Sequence, residues 1–387
     1  MFYGEKLQQI REMFSYTRKD LAEIINVNEQ TVWRYETNQE RPTFNVLIQL
    51  TDVFNVKSSY FLKDSYLTVV SQTSNIAFRE SYSQKRTSIK NEQVFLDFFY
   101  THLLDIEKVA YPVHGKMNSF CGDIEKNYNL TQLSKHELKE IAEEARETLG
   151  TVSNERLMYF LETSGIYIIE RKLEKSVDAY STWLLEDSYP IIVLNKGKNP
   201  AVRRNFDMSH ELGHLILHRY IDFNEIAEND LRKIEKEANL FASYFMLPER
   251  ELEEDFSKII NPTNPKEYLP LKNKYKTSIQ SIAYRANLEG WITKSENSMF
   301  WKNIHKLGYR FREPLDNDLP IHIPGKIRAL ISHALKEDSY FITNWVERYS
   351  VEIEYFEKLF GIHDDFFKKH RTQERINPSN KVVNLYQ

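Results

Sequence analysis

Two histidines four residues apart, His210 and His214, constrain this chain more than any other feature of its sequence. Residues at positions i and i+4 lie one above the other on a helix face, so both imidazoles can reach one metal ion. Glu211 follows the first histidine, and Leu212 and Leu215 supply an apolar face. The pattern predicts a buried helix that carries a metal site.

The His-Glu-x-x-His spacing is typical of zinc sites that perform hydrolysis. A catalytic zinc takes three protein ligands and keeps one position for water. Glu211 stands beside the first ligand, where it can act as a general base toward that water. Gly213 leaves room for a neighbouring segment to pack close to the metal. We expect one Zn²⁺ per chain, with Mn²⁺ as the alternative.

The third ligand must come from another part of the chain. His218 continues the i+4 series, but at 1.5 Å per residue it lies about 12 Å along the axis from His210 and cannot share its metal. We expect it to be a helix-terminal histidine favoured by the helix dipole. The next predicted helix offers Glu235 and Glu237, which flank its apolar face at similar angles. Periodicity alone does not choose between them.

Residues 1 to 66 predict several short helices. Thr17 and Asn28 are N-cap residues by type, and Asp20 adds a capping acid three residues after Thr17. A helix is predicted from Glu29 to Glu36, closed at Asn38, because asparagine tolerates a left-handed turn. Two such helices at a fixed angle let the second enter the major groove of DNA.

The zinc motif and the segment after it resemble the ImmA/IrrE family of metallopeptidases. The resemblance rests on HELGHLILH at 210–218, EANLFA at 237–242 and MLP at 246–248, and it covers roughly residues 135 to 290. It implies that Glu237, the glutamate immediately before Ala-Asn, completes the zinc site. It also implies a protein substrate, because members of this family cut repressors of the helix-turn-helix type.

The first 66 residues resemble the XRE (Cro/repressor-type) helix-turn-helix family, which implies double-stranded DNA as a partner. The matching residues include Leu7, Ile10, Thr17, Leu21, Val32, Arg34 and Tyr35. Gln30 is expected to read adenine and Arg34 to reach guanine or phosphate. The residues expected in or near the groove, or at its phosphates, are Arg18, Asn28, Glu29, Gln30, Thr31, Trp33 and Arg34.

Charge and composition limit these expectations. Residues 1 to 66 hold eight Lys/Arg and nine Asp/Glu, a net charge of −1, so this region either needs dimerisation to bind DNA or binds a protein instead. The single cysteine, Cys121, the lack of a signal-peptide pattern and the lack of an apolar run near 18 residues together predict a cytoplasmic protein with no membrane partner.

The expected fold is mainly α. We expect a helix-turn-helix domain at 1–66, a linker and helical connector at 67–133, an α+β zincin-like domain at 134–290 with a small sheet, and a helical region of unknown role at 291–387. Short β-branched runs at 166–169 and 191–194 predict two strands.

The leading functional hypothesis is a DNA-binding regulator whose zinc endopeptidase cleaves a repressor-type protein, or its own linker near residues 67–95, in response to a stress or phage signal. One alternative is a transcription factor whose peptidase-like domain is a non-catalytic sensor. Glu211 argues against it, because a structural metal site needs no general base and fills all four positions. The other alternative, a phage-defence or toxin–antitoxin component, would have the same domains.

Overall fold

The computed structural model describes residues 1–64, 67, 69, 77–78, 86–112, 115–185, 188–197, 200–222, 226–362 and 366–367. Helices dominate and one small sheet is present, so the expected mainly α fold is confirmed. No helix in these ranges is long and apolar enough to span a bilayer. The helices, in chain order, are α1 (Gly4–Met13), α2 (Arg18–Ile24), α3 (Glu29–Glu36), α4 (Phe44–Phe54), α5 (Arg86–Ala110), α6 (Met117–Asn127), α7 (Lys135–Thr148), α8 (Leu157–Thr163), α9 (Ala201–Leu217), α10 (Glu228–Met246), α11 (Glu249–Phe256), α12 (Leu269–Tyr275), α13 (Ile279–Leu288), α14 (Lys294–Lys306), α15 (Lys326–Glu337), α16 (Phe341–Tyr349) and α17 (Ile353–Phe360).

The chain folds into two compact units, and each unit gathers stretches that are distant in the sequence. Unit 1 comprises Met1–Val70, Arg86–Pro112 and Arg328–Gln387, and unit 2 comprises Ser71–Lys85 and Val113–Ile327. This division differs from the domains expected at 67–133 and 291–387, since each of those stretches contributes to both units. The difference arises because long-range packing, rather than composition, decides which helices belong together.

Helices α2 and α3 in unit 1 begin where the capping residues predict. Thr17 and Asp20 form a reciprocal capping box at the start of α2, and the side chain of Asn28 accepts from Thr31 N–H at the start of α3. Asn38 has a φ of 58°, in the left-handed region. The predicted boundaries of this part of the chain are therefore confirmed.

The C-terminal helices complete unit 1. His102 of α5 is fully buried, and its ring centroid lies 4.3 Å from that of Tyr349 and 5.2 Å from that of Phe356. The backbone N–H of Lys57 donates to the carbonyl of Ser350 at 2.8 Å. Residues to which the sequence assigned no role therefore pack in the same unit as the helix-turn-helix.

Unit 2 contains a four-stranded sheet in the order β1-β3-β4-β2. The strands are β1 (Ala77–Phe78), β2 (Tyr167–Arg171), β3 (Ala179–Leu184) and β4 (Tyr189–Asn195). Strand β2 is parallel to β4, and β3 is antiparallel to both of its neighbours. The two strands predicted from the sequence, β2 and β4, are confirmed. Every residue of β3 is buried, so it lacks the polar alternation by which a half-buried strand is recognised.

Helices α9 and α10 carry the candidate site. Helix α9 packs on β3 and β4, and α10 packs on α9 and α7. A Cβ atom on Gly213 would lie 3.0 Å from Cδ1 of Phe241 and 3.3 Å from Cα of Ala238. The room that Gly213 was expected to leave is therefore taken by α10, which needs this close approach to bring its side chains to α9.

Candidate metal centre and recognition helix

Helix α9 supplies the first two groups of the candidate metal centre. His210 and His214 are buried, with exposed fractions of 1% and 4%. Their Nε2 atoms lie 3.0 Å apart. The i, i+4 spacing thus brings both imidazoles to one point, as the helix geometry requires.

Helix α10 supplies the third group, and it is Glu235. Its Oε1 lies 3.4 Å from Nε2 of His214, and its Oε2 lies 3.5 Å from Nε2 of His210. The carboxylate of Glu237 instead contacts Nε2 of His218 at 3.2 Å. Two residues turn a helix by about 200°, so the two glutamates leave α10 on different sides. In the geometry of the cluster, the expected Glu237 is therefore corrected to Glu235.

The two histidines also determine the charge state of Glu235. Burial by itself would raise the pKa of this carboxyl, but the hydrogen bonds and charges of His210 and His214 outweigh it. The pKa of Glu235 consequently lies well below its usual range. The group is ionised, which is the form that binds a metal.

The distances among the three donors fit a zinc ion. Ligand atoms about 2.1 Å from zinc at tetrahedral angles lie about 3.4 Å from one another. Here the two imidazole nitrogens lie 3.0 Å apart, one carboxylate oxygen of Glu235 lies 3.4 Å from His214 Nε2, and the other oxygen lies 3.5 Å from His210 Nε2. Among the described residues, this is the one cluster of three His, Cys, Asp or Glu donors close enough to share an ion. A set of three is typical of catalytic sites, whereas structural zinc sites have four protein ligands.

The outer ring nitrogen of His210, on the side away from the cluster, contacts a side chain of α10. Its Nδ1 lies 3.1 Å from Oδ1 of Asn239 on α10. An amide oxygen only accepts hydrogen bonds, so Nδ1 donates, and in its neutral form His210 would offer the Nε2 lone pair to a metal ion. Asn239 is four residues after Glu235, and this i, i+4 relation in the sequence would have marked Glu235 as the glutamate on the same side of α10.

His218 links His214 to Glu237. Burial lowers the pKa of His218 to about 4, so its imidazole is neutral at pH 7 and carries one N–H. Nε2 of His218 donates to Glu237 at 3.2 Å, and its Nδ1 lies 3.0 Å from Nδ1 of His214. His214 is then the donor at Nδ1, which leaves its Nε2 as the nitrogen that would bind a metal ion.

These contacts correct the expected role of His218. It does stand at the C-terminal end of α9, but burial keeps it neutral, so it is not a cation stabilised by the helix dipole. Partners of this kind fix the tautomer and orientation of metal-binding imidazoles.

Glu211 is buried beside the cluster and is held by strand β3. The hydroxyl of Ser181 donates to Oε2 of Glu211 at 2.7 Å and lies 3.2 Å from its backbone oxygen. One oxygen of the carboxylate is thereby fixed in place. Sequence reasoning missed Ser181, because only the packing of β3 on α9 brings it to Glu211.

A cavity of about 260 Å³ lies near α10. Asn239, which contacts the outer nitrogen of His210, forms part of its wall, whereas His210, His214 and Glu235 themselves do not line it. The lining residues are Phe206, Asn239, Ser243, Gln280, Ser281 and Tyr284.

Helix α3 presents most of the predicted DNA-reading residues on its outer side. Glu29, Gln30 and Arg34 are exposed, and Thr31 and Trp33 are half-buried. The helix is anchored by the buried residues between them, Val32 and Tyr35. The exposed side chains are therefore available to a groove without any change in the packing of α3.

The two residues expected at phosphates have other partners in the fold. Asn28 is exposed, but its Oδ1 accepts from the backbone N–H of Thr31 at 2.7 Å. Arg18 donates from Nε to Glu36 at 2.6 Å, and Arg11 contacts the same buried carboxylate. A buried carboxylate requires such cations. Arg18 thus shares an ion pair with Glu36, and its contact with phosphate stays a prediction.

Comparisons with known proteins identify two domains in the chain. Residues 7–61 match the helix-turn-helix family, and residues 161–287 match the family described as the IrrE N-terminal-like domain, a peptidase family. The chain is 26% identical over 101 residues to the HTH-type transcriptional regulator ImmR of Bacillus subtilis (strain 168). This alignment covers 24% of the present chain and 80% of ImmR. It is 35% identical over 52 residues to a protein of Pyrococcus furiosus named as an HTH-type transcriptional regulatory protein, covering 13% of this chain and 16% of that protein.

A helix-turn-helix domain implies DNA binding, and the second family suggests metal binding. The two matched ranges contain α3 and the cluster on α9 and α10, respectively. The chain therefore joins an N-terminal helix-turn-helix domain of the XRE type to an IrrE/ImmA-like domain of a metallopeptidase family.

Proposed function

We propose that this protein is a transcriptional regulator that binds double-stranded DNA through α3 and cleaves a protein with a zinc-dependent endopeptidase site. The observation that carries the proposal is the three-donor cluster of His210, His214 and Glu235, with Glu211 next to it on the same helix as the histidines. The name of the relative ImmR, a transcriptional regulator, supports the DNA-binding half.

Each residue of the site has a separate role in this proposal. His210, His214 and Glu235 hold the metal. A bound zinc ion would supply Lewis acidity toward a peptide carbonyl and would activate water. Glu211 takes a proton from the attacking water and passes it to the leaving nitrogen, so a peptide bond and water yield a carboxylate and an amine. Ser181 keeps the carboxylate of Glu211 oriented for both transfers.

The substrate we favour is a helix-turn-helix protein of repressor type, which includes this chain itself. The stretch expected for self-cleavage, residues 67–95, lies partly outside the described residues. Cleavage in response to a stress or phage signal would convert DNA occupancy into an irreversible change. We further favour a cytoplasmic location and a homodimer. The homodimer follows from the net charge of −1 in residues 1–66, which leaves a single copy with weak attraction to phosphate.

The test uses the chain as both enzyme and substrate. Isotope-labelled Glu211→Gln chain is incubated with unlabelled wild-type chain and one equivalent of zinc, and fragments are identified by mass spectrometry. Both chains should bind zinc, and only the wild type should cut the labelled chain. A chelator should stop the reaction. Glu228→Gln, an exposed change at the start of α10, is the matched control and should cut like the wild type.

Two outcomes would contradict the proposal. Cleavage by the Glu211→Gln chain alone would remove Glu211 as the base. Zinc binding by the wild type with no cleavage of itself or of a panel of helix-turn-helix repressors would favour the non-catalytic metal-dependent sensor.

A further inference from the structure

Three helices of unit 2 form the walls of the cavity that lies near α10. Helix α9 contributes Phe206, α10 contributes Asn239 and Ser243, and α13 contributes the other wall residues. Asn239 and Ser243 are four residues apart, so they share one face of α10. The carbonyl of Ser243 accepts from Nη1 of Arg285 on α13 at 3.3 Å, which joins two of the three walls. The cavity is therefore bounded by packed helices.

The wall of the cavity begins about one helical turn from the candidate metal centre. Phe206 precedes His210 by four residues on α9, and Ser243 follows Glu235 by eight on α10. At 1.5 Å per residue, these separations are about 6 Å and about 12 Å along the two helix axes. Asn239 lies between, and its Oδ1 is 3.1 Å from Nδ1 of His210. One side chain thus belongs to the cavity wall and also contacts a candidate metal ligand.

Three polar side chains of the wall have hydrogen-bonding capacity that no described residue uses. Ser243 is 3% exposed, and its Oγ has no hydrogen-bond partner among the described residues. Asn239 uses Oδ1 for His210, and no described acceptor pairs with its Nδ2. Gln280 donates from Nε2 to Glu313 at 3.0 Å, and no described donor pairs with its Oε1. The wall thus offers an N–H donor, an oxygen acceptor and a hydroxyl that can act as either.

The wall carries no charged side chain. Phe206 and Tyr284 are aromatic, and the other wall residues are amides and serines. Burial raises the pKa of Tyr284, so its phenol stays protonated at pH 7. A charged ligand would lose water here without gaining an opposite charge, which is costly. The lining therefore favours an uncharged ligand that combines apolar surface with a hydrogen-bonding group.

We propose that this cavity binds an uncharged molecule in which an aromatic ring carries a carboxamide, and that Asn239 transmits its occupancy to His210. A carboxamide has N–H donors and a carbonyl acceptor, which complement the acceptor and the donor that the wall offers. The ring would pack against the aromatic side chains of the wall. The volume of about 260 Å³ is below the roughly 300–1,000 Å³ of pockets for drug-sized ligands, so the ligand is a single substituted ring.

Asn239 connects the ligand to the metal because its amide has two ends. A ligand carbonyl that accepts from Nδ2 would hold the amide plane, and with it the contact of Oδ1 with His210. Partners of this kind fix the tautomer and orientation of a metal-binding imidazole. The ligand should therefore strengthen metal binding, and by linkage the metal should strengthen ligand binding by the same factor. This link requires metal binding but no cleavage, so it is independent of the proposed endopeptidase activity.

The first experiment measures binding of benzamide to the full chain by saturation-transfer NMR. Benzamide should bind saturably, with a dissociation constant of about a millimolar or less for a ligand of this size. Benzoate has the same ring but a negative charge, and it should bind at least about tenfold more weakly. No saturable binding of benzamide, or comparable affinity for benzoate, would overturn the proposal.

Substitutions locate the bound probe. Ser281→Phe places a ring in the cavity and should weaken benzamide binding at least about tenfold. Ser295→Phe, the matched control, makes the same change in the first turn of α14, outside the cavity, and should bind benzamide like the wild type. Ser243→Ala removes the buried hydroxyl and should weaken binding at least about threefold, and it replaces Ser281→Phe if that variant does not fold. Wild-type affinity in folded variants would place the probe elsewhere and overturn the proposal.

Competition for zinc tests the link through Asn239. The zinc affinity of the wild type should rise at least about fivefold when benzamide is saturating, and the benzamide affinity should rise by the same factor when zinc is bound. In Asn239→Ala, both factors should fall toward one. A zinc affinity that benzamide leaves unchanged in the wild type, or changes equally in Asn239→Ala, would refute the link. A chain that binds benzamide and zinc but cuts no protein would refute the endopeptidase alone.

Discussion

The identity of the third metal donor can be tested with two substitutions on one helix. Glu235 and Glu237 both lie on α10, and both side chains are largely buried, with exposed fractions of 18% and 10%. Each is changed to glutamine, which keeps the size of the side chain and removes its charge. The structure predicts unequal effects, because Glu235 contacts both candidate imidazoles whereas Glu237 contacts His218.

The expected magnitudes follow from these contacts. Zinc sites with four donors bind the ion with about 10–16 kcal/mol, so one donor accounts for roughly 3 kcal/mol, on the order of 100-fold in affinity. Glu235→Gln should weaken zinc binding by about that factor. Glu237→Gln removes no donor from the cluster and leaves an amide oxygen for His218. Since Glu237 contacts His218 rather than a candidate ligand, its effect should stay at or below about tenfold, the lower end of the losses typical of groups that orient ligands.

The assay is competition for zinc between the full chain and a chromophoric chelator of known affinity at pH 7. Circular dichroism checks that each variant is folded, and Glu228→Gln on the same helix serves as control. A loss of affinity that is larger for Glu237→Gln, or equal for the two changes, would refute the geometric assignment and restore the ligand implied by the family resemblance.

Three further predictions concern stability, packing and DNA binding. Burial lowers the pKa of His102 to about 3, below its unfolded value of 6.5. The contribution of His102 to stability is therefore complete above pH 6.5 and is lost as the pH falls toward 3. The loss amounts to at most about 1.4 kcal/mol per pH unit. His102→Phe should reduce, by up to that slope, the pH dependence of the free energy of opening of α5 between pH 6.5 and 5, as measured by amide exchange. An unchanged pH dependence would contradict this prediction. Gly213→Ala should lower the free energy of unfolding by about 1–3 kcal/mol and weaken zinc binding, because the added Cβ crowds α10. An unaltered melting temperature and zinc affinity would show that α9 and α10 can move apart without cost. Gln30→Ala and Arg34→Ala should each weaken binding to a duplex selected by the wild-type chain by about 1–3 kcal/mol, measured by mobility shift, and undiminished affinity in both would remove α3 as the reading helix.

Local features of the fold could be predicted from the sequence, because short-range chemistry determines them. The caps at Thr17 and Asn28 and the left-handed Asn38 depend on neighbours within a few residues, and the structure has them where expected. His210 and His214 belong to the same class, since one helical turn brings them together. Each of these features can be predicted from nearby residues alone.

Features that depend on packing could not be predicted in the same way. Glu235 and Glu237 flank the apolar face of α10 at similar angles, so only the approach of α10 to α9 at Gly213 decides between them. Ser181 lies on a strand buried on both faces, which leaves no periodic signal. The burial of His102 against Tyr349 joins residues 247 positions apart, a contact that no local pattern indicates.

The discontinuity of unit 1 has a consequence for the order in which the chain folds during synthesis. Helices α1 to α4 leave the ribosome first, while α16 and α17 leave it after all of unit 2. At about 5–20 residues per second, the roughly 280 residues between them take about 15–55 s to make. For that interval unit 1 lacks α16 and α17, and the face of α5 that His102 presents to Tyr349 and Phe356 remains uncovered. A cell that makes this protein thus completes the unit that contains the helix-turn-helix only after the metal-site helices have been synthesised.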